Sequence, residues 1–170
     1  MLIVGLGMFS CDVSPDNLKI ELNFMTGLEQ SKDLNKPIFL HFTGFGCVGY
    51  NEFYNDIVTS RKIQKKLSEE FITIDLYVDD KREIQVSDTL NLYKIKLSNE
   101  GRDIVKNSKT IGDLYSSIQA DWLKSNSQPT YLIIDSSQNI LVKPFGYTNR
   151  NREYFLMKLE EGIRKLKTKI

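Results

Sequence analysis

The stretch Ile38–Tyr50 (IFLHFTGFGCVGY) constrains the chain more than any other. Ile38–Phe42 is a compact apolar run, the kind of strand found in the middle of a sheet with both faces covered. It leads into a turn in which Gly44, Gly46 and Gly49 surround one cysteine, Cys47. Behind the turn, Phe53, Tyr54, Ile57 and Val58 come round at helical spacing and predict a helix over 48–58. A helix N-terminus offers partial positive charge and free N–H groups. A cysteine seated there is held more readily as thiolate and becomes a nucleophile. The glycines leave little side-chain bulk to shield it.

Alternation and helical spacing continue on both sides. Leu18–Asn23 alternates as a half-buried strand, and Phe24–Asn35 reads as a short helix closed off by Pro37. Ser60 can cap a second helix, Arg61–Glu70, with Ile63 and Leu67 inward. Phe71–Val78 alternates as another strand. The segment 79–110 is polar and irregular, an excursion from the core in which Asn99–Arg102 reads as a hairpin turn between Tyr93–Leu97 and Asp103–Val105. Thr110 and Asp113 form a capping-box pattern ahead of a face made by Ile111, Leu114, Tyr115, Ile118 and Trp122. Pro129–Asp135 and Ile140–Phe145 are strands joined by a turn at Ser136–Asn139. Arg150–Lys167 is a closing amphipathic helix with Phe155, Leu159, Ile163 and Leu166 inward. This order predicts an α/β domain, a central mixed sheet flanked by helices.

Composition removes several classes of function. Lys and Arg total 23 against 22 Asp and Glu, so the chain lacks the basic excess that phosphate neutralisation requires, and no nucleic-acid partner is expected. One His and two Cys, at positions 41, 11 and 47, fall short of a zinc site, so neither metal nor cofactor is expected. Asp79-Asp80 reads as a solvated strand end. The basic face of the last helix, with Arg150, Arg152, Lys158, Arg164, Lys165, Lys167 and Lys169, reads as a solvated surface.

Residues 1–17 stand apart. Met1–Ser10 (MLIVGLGMFS) is apolar, too short to span a bilayer, and ends at Cys11. An apolar run followed by Ser and Cys resembles a bacterial lipoprotein signal, in which the cysteine is lipidated. Met8 stands where Leu or Val is usual, and no Lys or Arg precedes the run. Export to the cell envelope with Cys11 as membrane anchor is one reading; a hydrophobic first strand, or a sequence that starts inside a longer signal, is the other. Asp12–Asn17 reads as a tether, and the domain proper is expected over 18–170.

Four segments in order carry a resemblance: KPIFLHFTGFGCVGY at 36–50, LYVDDK at 76–81, SQPTYLIID at 127–135 and PFGYT at 144–148. Together they resemble the thioredoxin-like superfamily, in particular the C-terminal thioredoxin-like domain of DsbD-type thiol:disulfide interchange proteins. Related exported proteins share the pattern, and the likeness covers about residues 24–167. The resemblance implies a thioredoxin-like fold, a periplasmic or membrane-anchored protein-disulfide oxidoreductase, and protein thiols or a small thiol as partners of a monomer.

It also implies residue roles. The family turn is Cys-x-x-Cys. Its first cysteine attacks a partner's disulfide and falls on Cys47, with Gly46, Val48 and Gly49 beside it. Its second resolves the mixed disulfide and falls on Tyr50, which has no thiol. A cis-proline opposite the cysteine falls on Pro129, where the backbone of Gln128 would meet a bound peptide; Phe45 and Tyr50 are candidates for the same docking surface. His41 stands where thioredoxins carry a buried proton-transferring Asp; it is either a base or a core histidine with one satisfied nitrogen. Three readings of Cys47 remain: a monothiol oxidoreductase, a redox-inactive protein-binding module, and a small buried cysteine.

Overall fold

Strand β2 (Ile38–Thr43) sits at the centre of the sheet, with all six of its side chains buried. It runs parallel to β3 (Ile72–Tyr77), with His41 opposite Asp75 and Thr43 opposite Tyr77. It runs antiparallel to β4 (Thr130–Ile134), with Phe42 opposite Thr130. The hairpin partner β5 (Ile140–Gly146) closes one edge, and a two-residue strand β1 (Ile20–Glu21) pairs parallel with β3 at the other. The sheet is mixed, five-stranded and ordered β1-β3-β2-β4-β5. The computed structural model describes residues 20–21, 24–47, 55, 59–84, 95–146 and 151–168. The predicted helix over 48–58 apart from Asn55, the segment 1–17, and with them Cys11, Val48, Gly49 and Tyr50, lie outside the described residues.

Helices cover both faces, as a central strand buried on both sides requires. Helix α1 (Phe24–Leu34) and helix α4 (Ile111–Leu123) pack on one face, where Phe24, Leu28, Leu114 and Ile118 meet Ile38, Leu40, Phe42, Ile74 and Leu132. Helix α2 (Arg61–Glu70) and helix α5 (Arg152–Lys167) cover the other, where Ile63, Leu67, Phe155 and Leu159 meet Phe39, Tyr131 and Ile133. The expected inward residues of the last helix behave as read: Phe155 and Leu159 are buried, and Ile163 and Leu166 pack partly buried against them. The edge strand β5 carries Lys143 and Pro144, residues that discourage another strand from adding there.

Helix starts repay residue-level reading. At α4, Thr110 Oγ1 accepts the Asp113 N–H at 3.1 Å and Asp113 Oδ2 accepts the Thr110 N–H at 2.9 Å, a complete capping box. Ser60 occupies the N-cap position of α2 but makes no side-chain capping hydrogen bond, so the cap expected of it is only positional. At α5 the cap is Asn151, whose Oδ1 accepts the Tyr154 N–H at 3.0 Å.

The excursion differs most from expectation. The hairpin read at Asn99–Arg102 is helix α3 (Asn99–Lys106). Ser98 starts it: its Oγ accepts the Gly101 N–H at 3.0 Å, and its own N–H donates to Asp121 Oδ2 at 2.9 Å. Gly101 is needed for proximity, since a Cβ there would lie 2.5 Å from Asp121 Cγ. Ile95 is buried in the first core, and the Trp122 indole N–H donates to Lys96 O at 2.7 Å, so this stretch packs onto α4.

The excursion leaves and returns at a narrow neck. Ile84 N–H donates to Lys109 O, Ile111 N–H to Arg82 O and Gly112 N–H to Asp80 O, at 3.1, 2.9 and 2.9 Å, and Glu83 bridges Thr110. Gly112 has no alternative here, because a Cβ would sit 2.6 Å from the Asp80 backbone nitrogen.

Candidate functional site

Register gathers four segments at one end of the sheet. Phe42 pairs with Thr130 and Thr43 with Tyr77, so the residues after β2, after β3 and before β4 emerge together. Gly146, at the end of β5, pairs with Thr130 and joins them. Three of the segments implicated by sequence, 44–47, 77–79 and 128–129, thus share one edge, at the carboxyl ends of the parallel strands where α/β sheets commonly bind ligands.

Gly44–Cys47 is a tight turn closed by the Cys47 N–H, which donates to Gly44 O at 3.0 Å. Cys47 is partly exposed and carries a free thiol, so it is not a core cysteine. Phe45, at the turn's crest, is 67% exposed. Its ring lies flat on Tyr77, centroids 4.2 Å apart at 13°. A Cβ added at Gly46 would meet no atom of the described residues within 4 Å.

Asp79 belongs to this turn. Its Oδ1 accepts the Phe45 N–H at 2.9 Å. Asp80 faces the other way and is 3% exposed, which corrects the reading of Asp79-Asp80 as a solvated strand end. Asp80 takes a forked pair from Arg82, Nε to Oδ1 and Nη2 to Oδ2 at 3.1 and 2.6 Å, and also accepts the Arg82 N–H. Those guanidinium hydrogen bonds, with the backbone one, hold its carboxyl below the usual range against the opposing effect of burial. Sequence alone points to the acidic pair but not to its division of labour, because Phe45 is 34 positions away.

His41 and Asp75 lie under the turn, on the face shared with Tyr77. His41 is 1% exposed and Asp75 3%, and Nδ1 is 3.1 Å from Oδ1. The Tyr131 ring sits 4.8 Å from the imidazole. Which of the two donates depends on the imidazole tautomer.

The Gln128–Pro129 peptide bond is cis. The segment before β4 is fixed by a residue that sequence reading passed over, Gln119 on α4. It is fully buried; its Nε2 donates to Ser127 O at 2.8 Å, and its Oε1 accepts from Gln128 Nε2 at 2.9 Å. The available signal is a polar residue on the apolar face that includes Tyr115 and Ile118. Among the described residues, no group of His, Cys, Asp and Glu is placed to hold a metal ion, and no helix is long and apolar enough to cross a membrane.

The strand order and the two helical layers define a thioredoxin-like fold. Solved structures agree. A protein described as DsbH oxidoreductase superposes with a TM-score of 0.59 at 17% identity, covering 87% of this chain and 85% of its own. A thioredoxin from Thermus thermophilus does so at 0.52 and 12% identity, covering 85% and 86%. No protein-family model matches the chain, and no curated protein sequence does.

Proposed function

We propose that the protein is a thiol–disulfide exchange protein of DsbD-like character that acts through Cys47 alone, on protein disulfides outside the cytoplasm. The observation that carries this reading is the partly exposed Cys47 thiol on a tight turn at the open end of a thioredoxin-like sheet. A buried thiol would be inert, whereas a thiol at an uncrowded turn is open to a partner's sulfur. Export rests on the Met1–Cys11 segment, with Cys11 as the anchor.

The Cys47 thiolate attacks one sulfur of a partner disulfide. A new S–S bond forms as the old one breaks, and the second partner sulfur leaves as thiolate and takes a proton. Tyr50 has no thiol with which to reverse this. Release therefore needs an external thiolate, from a small thiol or the partner's own cysteine. It attacks the partner sulfur and expels Cys47 as thiolate, so one disulfide is exchanged for another with no net electron transfer.

The test is capture. Thiol-blocked extracts of cells making the protein should show covalent adducts that vanish with reductant and in Cys47→Ser. Partners retained without covalent adducts, and equally by Cys47→Ser, would replace this reading with a redox-inactive binding module. Tyr50→Cys supplies the missing resolver and should shorten the lifetime of the adducts.

A further inference from the structure

The last residue of β3 and the two that follow it grip the cysteine turn at three consecutive positions. Tyr77 supplies the ring beneath Phe45, the Val78 N–H donates to Thr43 O at 2.8 Å, and Asp79 accepts the Phe45 N–H at 2.9 Å. The Asp79 contact differs from the other two because the turn is shaped to admit it. A Cβ at Gly44 would stand 3.0 Å from Asp79 Oδ2 and 3.2 Å from its Cγ. Gly44 has no positive φ, so its backbone conformation does not call for glycine. The missing side chain makes room for the carboxylate. The Phe45 amide lies at an exposed turn, yet it is held by a side chain from the neighbouring strand's end rather than by water.

We propose that Asp79 is the positioning residue of the Cys47 turn. By fixing the Phe45 amide it lays the Phe45 ring on Tyr77 and sets the Gly44–Cys47 turn in one geometry, so that Sγ is presented toward an incoming disulfide. The function assigned to Asp79 is that of a hydrogen-bond acceptor, not of a charge. This inference rests on the thiol-exchange reading above, and it adds a residue that acts through the turn rather than on the partner.

The experiment measures two things on the full chain. One is hydrogen–deuterium exchange at the Phe45 amide. The other is the second-order rate of Cys47 with the disulfide probe 5,5′-dithiobis(2-nitrobenzoate). Asp79→Ala should remove about tenfold of the Phe45 amide protection, as loss of a local hydrogen bond does. It should also slow the disulfide reaction by about tenfold through misplacement of the thiol. Asp79→Asn keeps an acceptor oxygen and should stay within about twofold of wild type on both measures, a rescue that charge loss would not give.

Gly44→Ala, which crowds Asp79 without touching it chemically, should move both measures in the Asp79→Ala direction and stands in for that variant if it fails to fold. A rate in Asp79→Ala equal to wild type overturns the proposal. So does an Asp79→Asn variant as slow as Asp79→Ala, which would assign the effect to charge. A wild-type Cys47 that does not react with the probe would instead defeat the thiol-exchange reading, while the amide measurement would still report on the Asp79 contact.

Discussion

His41 Nδ1 lies 3.1 Å from Asp75 Oδ1 across adjacent parallel strands, and water reaches neither residue to any useful extent. Such a pair costs desolvation that its hydrogen bond offsets, so losing one member is worse than losing both. Asp75→Leu should destabilise the protein by about 3 kcal/mol in urea unfolding, because it removes the hydrogen-bond partner of a buried imidazole. His41→Leu combined with Asp75→Leu should recover part of that loss, with a coupling above about 1 kcal/mol in the double-mutant cycle. Additive losses would show that the two side chains do not depend on each other.

Acid should weaken the fold through Asp80. Its folded-state carboxyl is held below the ordinary value of 3.8 by the Arg82 hydrogen bonds. The stability it contributes is present above the unfolded value and is lost as pH falls through the lower folded one. Asp121, where the opposing effect of burial is overcome by the Ser98 hydrogen bonds together with the Lys124 ammonium, and Asp113, held by Thr110, act in the same direction. Urea midpoints measured downward from about pH 5 should fall, and Asp80→Asn should lose less of its midpoint over that range than wild type does. Equal slopes would exclude Asp80 as a contributor.

Gly46 separates folding from docking. Since a Cβ there meets none of the described residues within 4 Å, Gly46→Ala should melt within about 2 °C of wild type. A small disulfide probe should react with Cys47 at an unchanged rate. A protein disulfide, which must approach the backbone closely, should form its mixed disulfide about fivefold more slowly, since an added methyl discriminates by clash. Equal rates on the large substrate would mean that partners do not pass over Gly46.

How much of this is written locally along the chain follows from the range of each interaction. The Thr110–Asp113 capping box is four residues long and reads directly from sequence. So do the central strand Ile38–Thr43 and the inward face of Arg152–Lys167, which follow from apolar periodicity alone. The helix Asn99–Lys106 does not, because what starts it is Ser98 held by Asp121, 23 positions away, and local sequence looks like a turn. The same holds for the site. Cys47 stands out from its glycines, but the partners of His41 and Phe45 are both 34 positions off. Adjacent carboxylates in Asp79-Asp80 look equivalent in sequence; only the turn of the chain sends one to the cysteine loop and the other to Arg82.

The neck formed by Arg82–Ile84 and Lys109–Ile111 has a consequence for how this protein can diverge. Because the neck pins the chain on both sides of the excursion, the excursion's length is uncoupled from the geometry of the sheet. Doubling a loop closed in this way costs only about 0.6 kcal/mol of chain entropy. A change of length beyond the neck therefore leaves in place the strand end that holds the cysteine turn.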